Sequence, residues 1–142
     1  MIPYIGYAQA PDKLVDEWQK NTQNFIMARK EFGTLERLYM LIDSKRGIGV
    51  IDSTIMGWLD EANVNYTIVL TKSDSTTKPI VIKGANEICM RYHTQMNDNE
   101  VNEDIVGCQS PFVHVTSSRK GVGVVDLMHA IEADFYGFHS NE

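Results

Sequence analysis

The sequence is poor in cysteine. Cys89 and Cys108 are too few for a disulfide scaffold and match no common zinc-ligand spacing, so we expect reduced thiols in an intracellular protein. Cys89 and His93 are four apart on a predicted helix, which is the spacing of half a zinc site. No second pair stands nearby in the sequence, and this favours ordinary helix positions for both.

Long apolar runs and an excess of basic residues are also missing. No segment approaches the roughly 20 apolar residues of a transmembrane helix, and the first residues lack the basic and apolar regions of a secretory signal. Lys and Arg total 13 against 19 Asp and Glu, which gives a net charge of -6. This balance argues against a broad basic surface for nucleic acid. We therefore do not expect a membrane protein or a secreted protein. A protein that binds nucleic acid over a broad surface is not expected either.

The remaining composition is that of one soluble globular domain. Of the 142 residues, 43% are hydrophobic and 23% are charged. Apolar segments rich in β-branched residues alternate with amphipathic segments of helical period. The predicted strands are 37–43, 66–70 and 112–116, and the predicted helices are 12 to about 30, 52 to about 63, about 80 to 96, and one after 123. This alternation predicts an α/β fold, a three-layer α/β/α parallel sheet of about three core strands and four helices.

Finer expectations follow from the same patterns. We expect Asp52 to cap the second helix and Gly33 to end the first. The 47–49 segment is expected to be a plain loop rather than a dinucleotide-binding fingerprint. Residues 1–11 and 97–108 are also expected to be loops. The expected inward residues are Leu14, Val15, Trp18, Thr22, Phe25, Ile26 and Arg29 in the first helix, Ile55, Met56, Leu59 and Ala62 in the second, Ile80, Ile88 and Tyr92 in the third, and Val125, Leu127, Met128, Ile131 and Phe135 in the last.

Polar loops follow two of the strands. Residues 71–74 read Thr-Lys-Ser-Asp, and residues 116–123 read Thr-Ser-Ser-Arg-Lys-Gly-Val-Gly. Loops at the carboxyl ends of parallel strands form the ligand crevice of open α/β sheets, and sequential strands are expected to be neighbours. The two loops are therefore expected to open onto the same edge.

The pair of loops suits a guanine base. Asp74 can accept two parallel hydrogen bonds from the N1–H and amino groups of guanine, for which adenine has no matching donors. The Lys72 stem can lie along the base or ribose, and the Ser118 backbone N–H can donate to O6. The first loop alone favours an ordinary β-α turn instead, with Asp74 or Ser75 capping the next helix and Lys72 solvated. The second loop shifts the interpretation to guanine recognition.

At this point the sequence resembles the EngB or YihA type of ribosome-biogenesis GTP-binding protein, within the translation-factor-like P-loop GTPases. Residues 71–74 match the family's Thr-Lys-x-Asp guanine-specificity loop, and 116–123 are similar to its Ser-Ala-x-x-Gly-x-Gly loop. Residues 41–47 are similar to its Ile-Asp-Ser-Arg-x-Gly strand end, residues 6–11 to its Gly-Tyr-Ala segment, and Trp18 stands where its next helix has a Trp. The resemblance covers nearly the whole chain.

The chain departs from the family pattern at its start. Met1 stands where the family's Asp-x-x-Gly motif has Asp, and Tyr4 where it has Gly. The phosphate-binding Gly-x-x-x-x-Gly-Lys-Ser/Thr loop and the switch threonine have no counterpart. The resemblance therefore implies that residues 1–142 are a single, amino-terminally truncated GTPase domain. It further implies that GTP or GDP binds weakly and that this chain does not hydrolyse GTP. The complete family uses magnesium, but no magnesium ligands can be assigned in this sequence.

The resemblance also implies site residues and partners. The guanine-binding residues carried over are Thr71, Lys72, Asp74, Ser117, Ser118 and Lys120. By the resemblance, Thr71 braces the loop, Lys72 stacks beside the base and ribose, and Asp74 binds the guanine amino edge. The resemblance places Ser117, Ser118 and Lys120 around O6 and the ring face. Asp43 stays open between a role in the site and ordinary strand-end turn chemistry. The implied partners are a guanine nucleotide and the large ribosomal subunit, with a link to cell division, and the implied location is the cytoplasm, a mitochondrion or a plastid.

Two expectations concern assembly and an alternative function. In the complete family the strand equivalent to 38–43 pairs with the strand that leads into the P-loop, so the resemblance implies an open edge here. We therefore expect a homodimer or the exchange of a segment, through that edge or through the 1–11 arm, unless the arm folds back and shields the edge. The alternative function is a non-catalytic interaction module, in which the nucleotide loops are relics of a GTPase domain.

Overall fold

A computed structural model describes residues 12–99 and 108–139, which divide after Glu36 into two compact units. The order of the elements is α1 (Asp12–Glu31), β1 (Leu38–Asp43), α2 (Val50–Glu61), β2 (Tyr66–Thr71), a short 3-10 turn (Ser73–Ser75), α3 (Lys78–Asn99), β3 (Gln109–Val115) and α4 (Val124–His139). Four helices alternating with three strands are the predicted set. The residues of the expected 1–11 loop lie outside the described ranges.

Helix α1 belongs to the first unit and ends where Gly33 was predicted to end it. Gly33 has φ +67, and the Thr34 N–H donates to the Arg29 carbonyl over 2.9 Å, which satisfies a carbonyl of the last turn. Ile26 is buried, as expected. Phe25 and Arg29 were wrongly placed inward: both are exposed, and the guanidinium lies 5.1 Å from the ring centroid, a cation–π contact that covers the ring.

The second unit is built on a parallel sheet in the order β1-β2-β3. The central strand β2 is paired on both sides, and its residues Tyr66, Ile68, Val69 and Leu70 are fully buried. A strand covered on both faces needs an unbroken apolar run, which is the pattern from which it was predicted. The predicted α/β fold class is confirmed.

Helices cover both faces of this sheet. On one face, Met56 and Leu59 of α2 and Ile88 of α3 are fully buried. Gly84 of α3 lies beside Leu70, whose Cδ1 is 3.7 Å from where a Cβ would lie, an ordinary contact distance. On the other face, Asp134 of α4 accepts hydrogen bonds from residues at the start of β1. The Arg37 Nε donates to it over 3.0 Å and the Tyr39 hydroxyl also donates. Burial and then Asp134 raise the pKa of Tyr39.

The predicted inward faces of α3 and α4 need correction. Leu127 is half-buried, but its expected companions are exposed, as is Ile80 in the first turn of α3. The exposed members in α4 are Val125, Met128, Ile131 and Phe135. Apolar residues occur on several sides of α4, and the polar Asp134 faces the sheet because Arg37 and Tyr39 hold it there. Hydrophobic periodicity alone therefore could not orient this helix.

The start of α2 also differs from the prediction. Gly49 is the N-cap and Asp52 is the third helical residue, so Asp52 does not cap the helix as expected. Its carboxylate instead accepts the Gly49 N–H over 2.8 Å, which is one half of a capping box, because Gly49 has no side chain to supply the other half. The same carboxylate pairs with Arg46 over 2.8 Å. Residues 47–49 are loop, as predicted.

The predicted loop 97–108 is shorter than expected. Helix α3 continues to Asn99, Cys108 is buried, and β3 begins at Gln109 rather than at 112. Residues 100–107 lie outside the described ranges. Pro111 is tolerated inside β3 because this strand pairs on one side only within the sheet, so the missing N–H breaks no ladder.

A closed polar cluster lies at the amino end of β2 and comprises Asp60, Tyr66, Arg91, Gln95 and Gln109. The Arg91 guanidinium donates to the Tyr66 hydroxyl over 2.6 Å, to Gln109 Oε1 over 2.7 Å and to Asp60 Oδ2 over 2.9 Å. Gln95 Nε2 donates to the same Asp60 oxygen over 2.7 Å. Burial raises the pKa of Tyr66, against the opposing effect of Arg91. This Arg91 cluster ties α2 and α3 to the starts of β2 and β3.

Candidate functional site

The two polar loops meet at the carboxyl edge of the sheet. The Thr116 N–H donates to the Leu70 carbonyl over 2.7 Å, and the Ser73 N–H donates to the Thr116 carbonyl over 3.0 Å. These backbone bonds continue the β2–β3 pairing past the strand ends. They fix the 71–74 loop against the 116–123 loop before any side chain contributes.

Asp74 is aligned by a serine of the other loop. The Ser117 hydroxyl donates to Asp74 Oδ1 over 2.6 Å, and Ser117 is almost fully buried. This hydrogen bond is the main cause of a lowered Asp74 pKa, and the nearby charges of Arg119 and Lys120 act in the same direction. An ionised carboxylate has about four acceptor positions, so one bond from Ser117 leaves room for two parallel donors from a ligand.

Lys72 occupies an unusual backbone conformation beside Asp74. Its φ is 53 and its ψ is 40, which is the left-handed region, and this costs a residue with a Cβ roughly 1–2 kcal/mol. The Ser75 N–H and hydroxyl both donate to the Lys72 carbonyl, over 2.9 and 2.7 Å, and hold the turn in place. The ammonium lies 3.2 Å from Asp43 Oδ2, while 61% of the Lys72 side chain remains exposed.

Thr71 braces its loop against β1. Its hydroxyl donates to the Ile42 carbonyl over 3.3 Å. Its carbonyl accepts both the N–H and the hydroxyl of Ser44, over 2.9 and 2.7 Å. Side chains and backbone together therefore extend the β1–β2 ladder beyond the last strand residues, in the position predicted for a bracing threonine.

The 116–123 loop is closed on itself. Ser117 and Val122 exchange backbone hydrogen bonds over 2.9 and 3.1 Å, and a Cβ at Gly123 would lie 2.1 Å from the Val115 carbonyl oxygen. Gly123 has φ +69, so glycine is required there for two reasons. The three residues at the tip, Ser118, Arg119 and Lys120, are exposed.

The structure thus brings all six predicted site residues to one edge of the sheet. Ser117, expected around O6 and the ring face, is instead a buried support for Asp74, and its hydroxyl also accepts the Lys120 N–H over 3.2 Å. Asp43 forms the strand-end turn, one of the two alternatives that the sequence left open, since its Oδ1 accepts the Lys45 N–H over 2.9 Å. Its other carboxylate oxygen lies 3.2 Å from the Lys72 ammonium.

Two relationships escaped the sequence reasoning. Arg119 was not predicted, although its charge acts on Asp74. The Asp43–Lys72 pair was also missed. Asp43 is the register partner of Thr71, so an acidic residue at the end of a neighbouring parallel strand was the available signal.

The described ranges show neither a metal-binding cluster nor a membrane-spanning helix. Within residues 12–99 and 108–139, no three His, Cys, Asp or Glu side chains are grouped so as to hold a metal ion. Neither Cys89 nor Cys108 forms a disulfide in those ranges, and the buried Cys108 thiol donates to Asn63 Oδ1 over 3.4 Å. No helix in those ranges combines the length and apolar character that crossing a bilayer requires.

The parallel sheet and the two edge loops define the class of fold as that of the P-loop GTPases, as predicted. Apo translation elongation factor SelB from Methanococcus maripaludis shares the fold: 70% of this chain aligns with 19% of that chain at a TM-score of 0.50 and 20% identity. No protein-family model matches the chain.

Sequence relatives narrow the class. The chain is 38% identical over 130 residues to the probable GTP-binding protein EngB of Rhizobium leguminosarum bv. trifolii, which is 92% of this chain and 54% of the relative. It is 38% identical over 132 residues to the protein of the same name from Chelativorans sp., again over 92% of this chain and over 52% of the relative. The chain spans about half the length of these curated relatives. The resemblance is confirmed, and the chain is a homologue of the EngB-type GTP-binding proteins.

Proposed function

We propose that this chain binds guanine nucleotides at the edge formed by residues 71–74 and 116–120. The observation that carries the proposal is the 2.6 Å hydrogen bond from Ser117 to Asp74, which aligns an ionised carboxylate at the crevice. In this arrangement Asp74 accepts N1–H and the exocyclic amine of guanine, and the exposed Ser118 backbone donates to O6. Lys72 lies along the base and ribose, and Thr71 and Ser117 hold the loops. Lys120 lies beside the ring.

Discrimination against adenine follows from unmatched polar groups. An adenine base would leave the Asp74 acceptors without donors, and would place its own amino group against the Ser118 N–H. The names of the sequence relatives support guanine as the base, since each is called a GTP-binding protein. GTP and GDP are the proposed ligands.

The affinity of the 142-residue chain is expected to be low. Its sequence contains no Gly-x-x-x-x-Gly-Lys-Ser/Thr motif, so no residue can be assigned to the phosphates. Within the described residues, no three His, Cys, Asp or Glu side chains are grouped so as to hold a metal ion. We expect a Kd no lower than roughly 100 µM, about -5.5 kcal/mol, and no hydrolysis of GTP above the uncatalysed background.

Nucleotide titration tests the proposal. Binding of GDP and ADP is measured by calorimetry or by amide shifts for the native chain, for Asp74→Ala and for Asp126→Ala. Asp126 is an exposed acid in the first turn of α4 and controls for the change in charge. We expect GDP to bind roughly tenfold more tightly than ADP, as the loss of one bidentate pair costs about 1–3 kcal/mol, and Asp74→Ala alone to erase the difference.

Three results would count against the proposal. Equal binding of GDP and ADP by the native chain would remove guanine recognition and leave the interaction-module alternative. Submicromolar GDP binding would refute the low affinity, and magnesium-dependent phosphate release that Asp74→Ala abolishes would refute the lack of hydrolysis.

Further predictions rest on family resemblance alone. They are a partnership with the large ribosomal subunit, a link to cell division, and a cytoplasmic, mitochondrial or plastid location. The homodimer also stays a prediction: within the described sheet β1 pairs with β2 only, and the 1–11 arm lies outside the described residues. Cosedimentation with large subunits in the presence of GTP tests the first partnership. A monodisperse monomer at tens of micromolar in light scattering would contradict the dimer.

A further inference from the structure

Asp43 is an acidic side chain buried at the very edge that the guanine loops form. It ends β1, is only 6% exposed, and is the register partner of Thr71, the first residue of the Thr-Lys-Ser-Asp loop. A carboxylate taken out of water requires compensation from charges or hydrogen bonds. One of its oxygens accepts the Lys45 N–H and the other lies 3.2 Å from the Lys72 ammonium.

The Lys72 side chain has the opposite character. Most of it is exposed, and its backbone is in the left-handed region, held by the two bonds from Ser75. A long exposed lysine stem ordinarily samples many rotamers, and ordering it on ligand binding carries an entropic cost. Because Asp43 is fixed in the sheet, it anchors the ammonium and restricts the stem between anchor and backbone.

We propose that Asp43 is a positioning residue for guanine binding, which acts by holding Lys72 in place before the nucleotide arrives. Asp43 makes no contact with the base in this arrangement. Its effect reaches the ligand through the Lys72 stem, whose methylene groups lie along the base and ribose under the proposed function. This inference rests on the proposed guanine site and adds a residue from the neighbouring strand to it.

A matched set of variants isolates this role. Asp43→Asn keeps the shape and the acceptor for the Lys45 N–H but removes the charge that faces Lys72. Lys72→Met removes the ammonium and keeps an apolar stem. Asp52→Asn is the control: Asp52 is another buried carboxylate, in the first turn of α2, and its ion-pair partner is Arg46.

GDP affinity is measured by amide-shift titration for these variants and for the Asp43→Asn, Lys72→Met double variant. We expect Asp43→Asn to weaken GDP binding on the order of threefold, as suits a pair with one exposed partner, and Asp52→Asn to change it less than about 1.5-fold. In the Lys72→Met background, the Asp43→Asn change is expected to have almost no further effect. Equal losses in both backgrounds, or no loss in the native background, would overturn the inference.

A readout without nucleotide separates this inference from the guanine site itself. The order of the Lys72 Cε–Hε bonds, measured by ¹³C relaxation, is expected to fall in Asp43→Asn and to stay unchanged in Asp52→Asn. Unchanged order in Asp43→Asn would overturn the anchoring. If the order falls but the native chain binds GDP and ADP equally, the proposed function is refuted. The role of Asp43 in guanine binding is then refuted as well, but the Asp43–Lys72 ion pair is not.

Discussion

The two ends of the central strand β2 carry polar groups of contrasting kinds. At its amino end, the Arg91 guanidinium bonds three partners, and the Tyr66 hydroxyl is enclosed by the cluster. At its carboxyl end, Lys72 is largely exposed in a left-handed conformation, and the tip residues 118–120 point to solvent. The first arrangement uses its polar groups for stability. The second keeps a strained backbone and exposed polar groups, which under the proposed function a guanine nucleotide uses.

Breaking the Arg91 cluster is expected to have the largest effect. Arg91→Met leaves the Asp60 carboxylate without its cation and the Tyr66 hydroxyl without the guanidinium donor, which should cost about 2–3 kcal/mol of unfolding free energy in a partly buried site. Urea unfolding followed by circular dichroism measures this. Lys83→Met removes an exposed cation of α3, 3.8 Å from Glu87, and should cost less than about 0.5 kcal/mol. Equal effects of the two changes would show that the Arg91 cluster stabilises the fold no more than an exposed ion pair does.

The loop glycines provide the next comparison. Gly121 and Gly123 have almost the same φ, +68 and +69, but only Gly123 would carry its Cβ into the Val115 carbonyl, whereas nothing lies within 4 Å of a Cβ at Gly121. We expect Gly121→Ala to cost about 1 kcal/mol for the left-handed backbone, and Gly123→Ala about 2 kcal/mol or more. Thermal unfolding of both variants measures the difference. An equal loss of stability in the two variants would show that the overlap of a Cβ at Gly123 with the Val115 carbonyl is relieved without an energetic cost.

Removing the Ser117 hydroxyl that donates to Asp74 should have a smaller effect, measured as a change in nucleotide affinity. Ser117→Ala deletes the hydroxyl that donates to Asp74. The loss of one hydrogen bond of about 1 kcal/mol predicts roughly fivefold weaker GDP binding with ADP binding unchanged, as measured by calorimetry. Ser110→Ala is the control, because Ser110 lies at the start of β3, away from the carboxyl edge of the sheet. A parallel loss for ADP would mean that Ser117 supports the loop as a whole.

The pH dependence gives the smallest effect. Because the Ser117 hydrogen bond lowers the pKa of Asp74, the carboxylate remains ionised to a lower pH than an ordinary Asp, whose pKa is about 3.9. The stability it contributes is present above that ordinary value and is lost as pH falls through the folded-state pKa. Guanine preference should therefore be flat from roughly pH 7 to 5. Carboxyl ¹³C shifts should titrate at higher pH in Ser117→Ala, and an unchanged midpoint would contradict the assigned cause.

The sequence predicted the parts of the fold that depend on local pattern. The apolar run of β2 and the glycine that ends α1 were visible in the residues themselves, since buried strands and left-handed helix ends each demand particular residue types. The orientation of α4 was not visible, because it depends on Arg37 and Asp134, which are 97 residues apart. Likewise the Asp43–Lys72 pair required the register between two strands. Contacts set by tertiary register have no local sequence pattern.

The closure of the 116–123 loop bears on how such a site can change over evolutionary time. Ser117 and Val122 form a backbone ring whose size is fixed by two hydrogen bonds and by the glycine that follows. An inserted or deleted residue would break the ring, whereas the side chains of residues 118–120 can be exchanged without altering the backbone. Variation in the ligand preference of this edge is therefore expected to occur by substitution at three tip positions, at constant loop length.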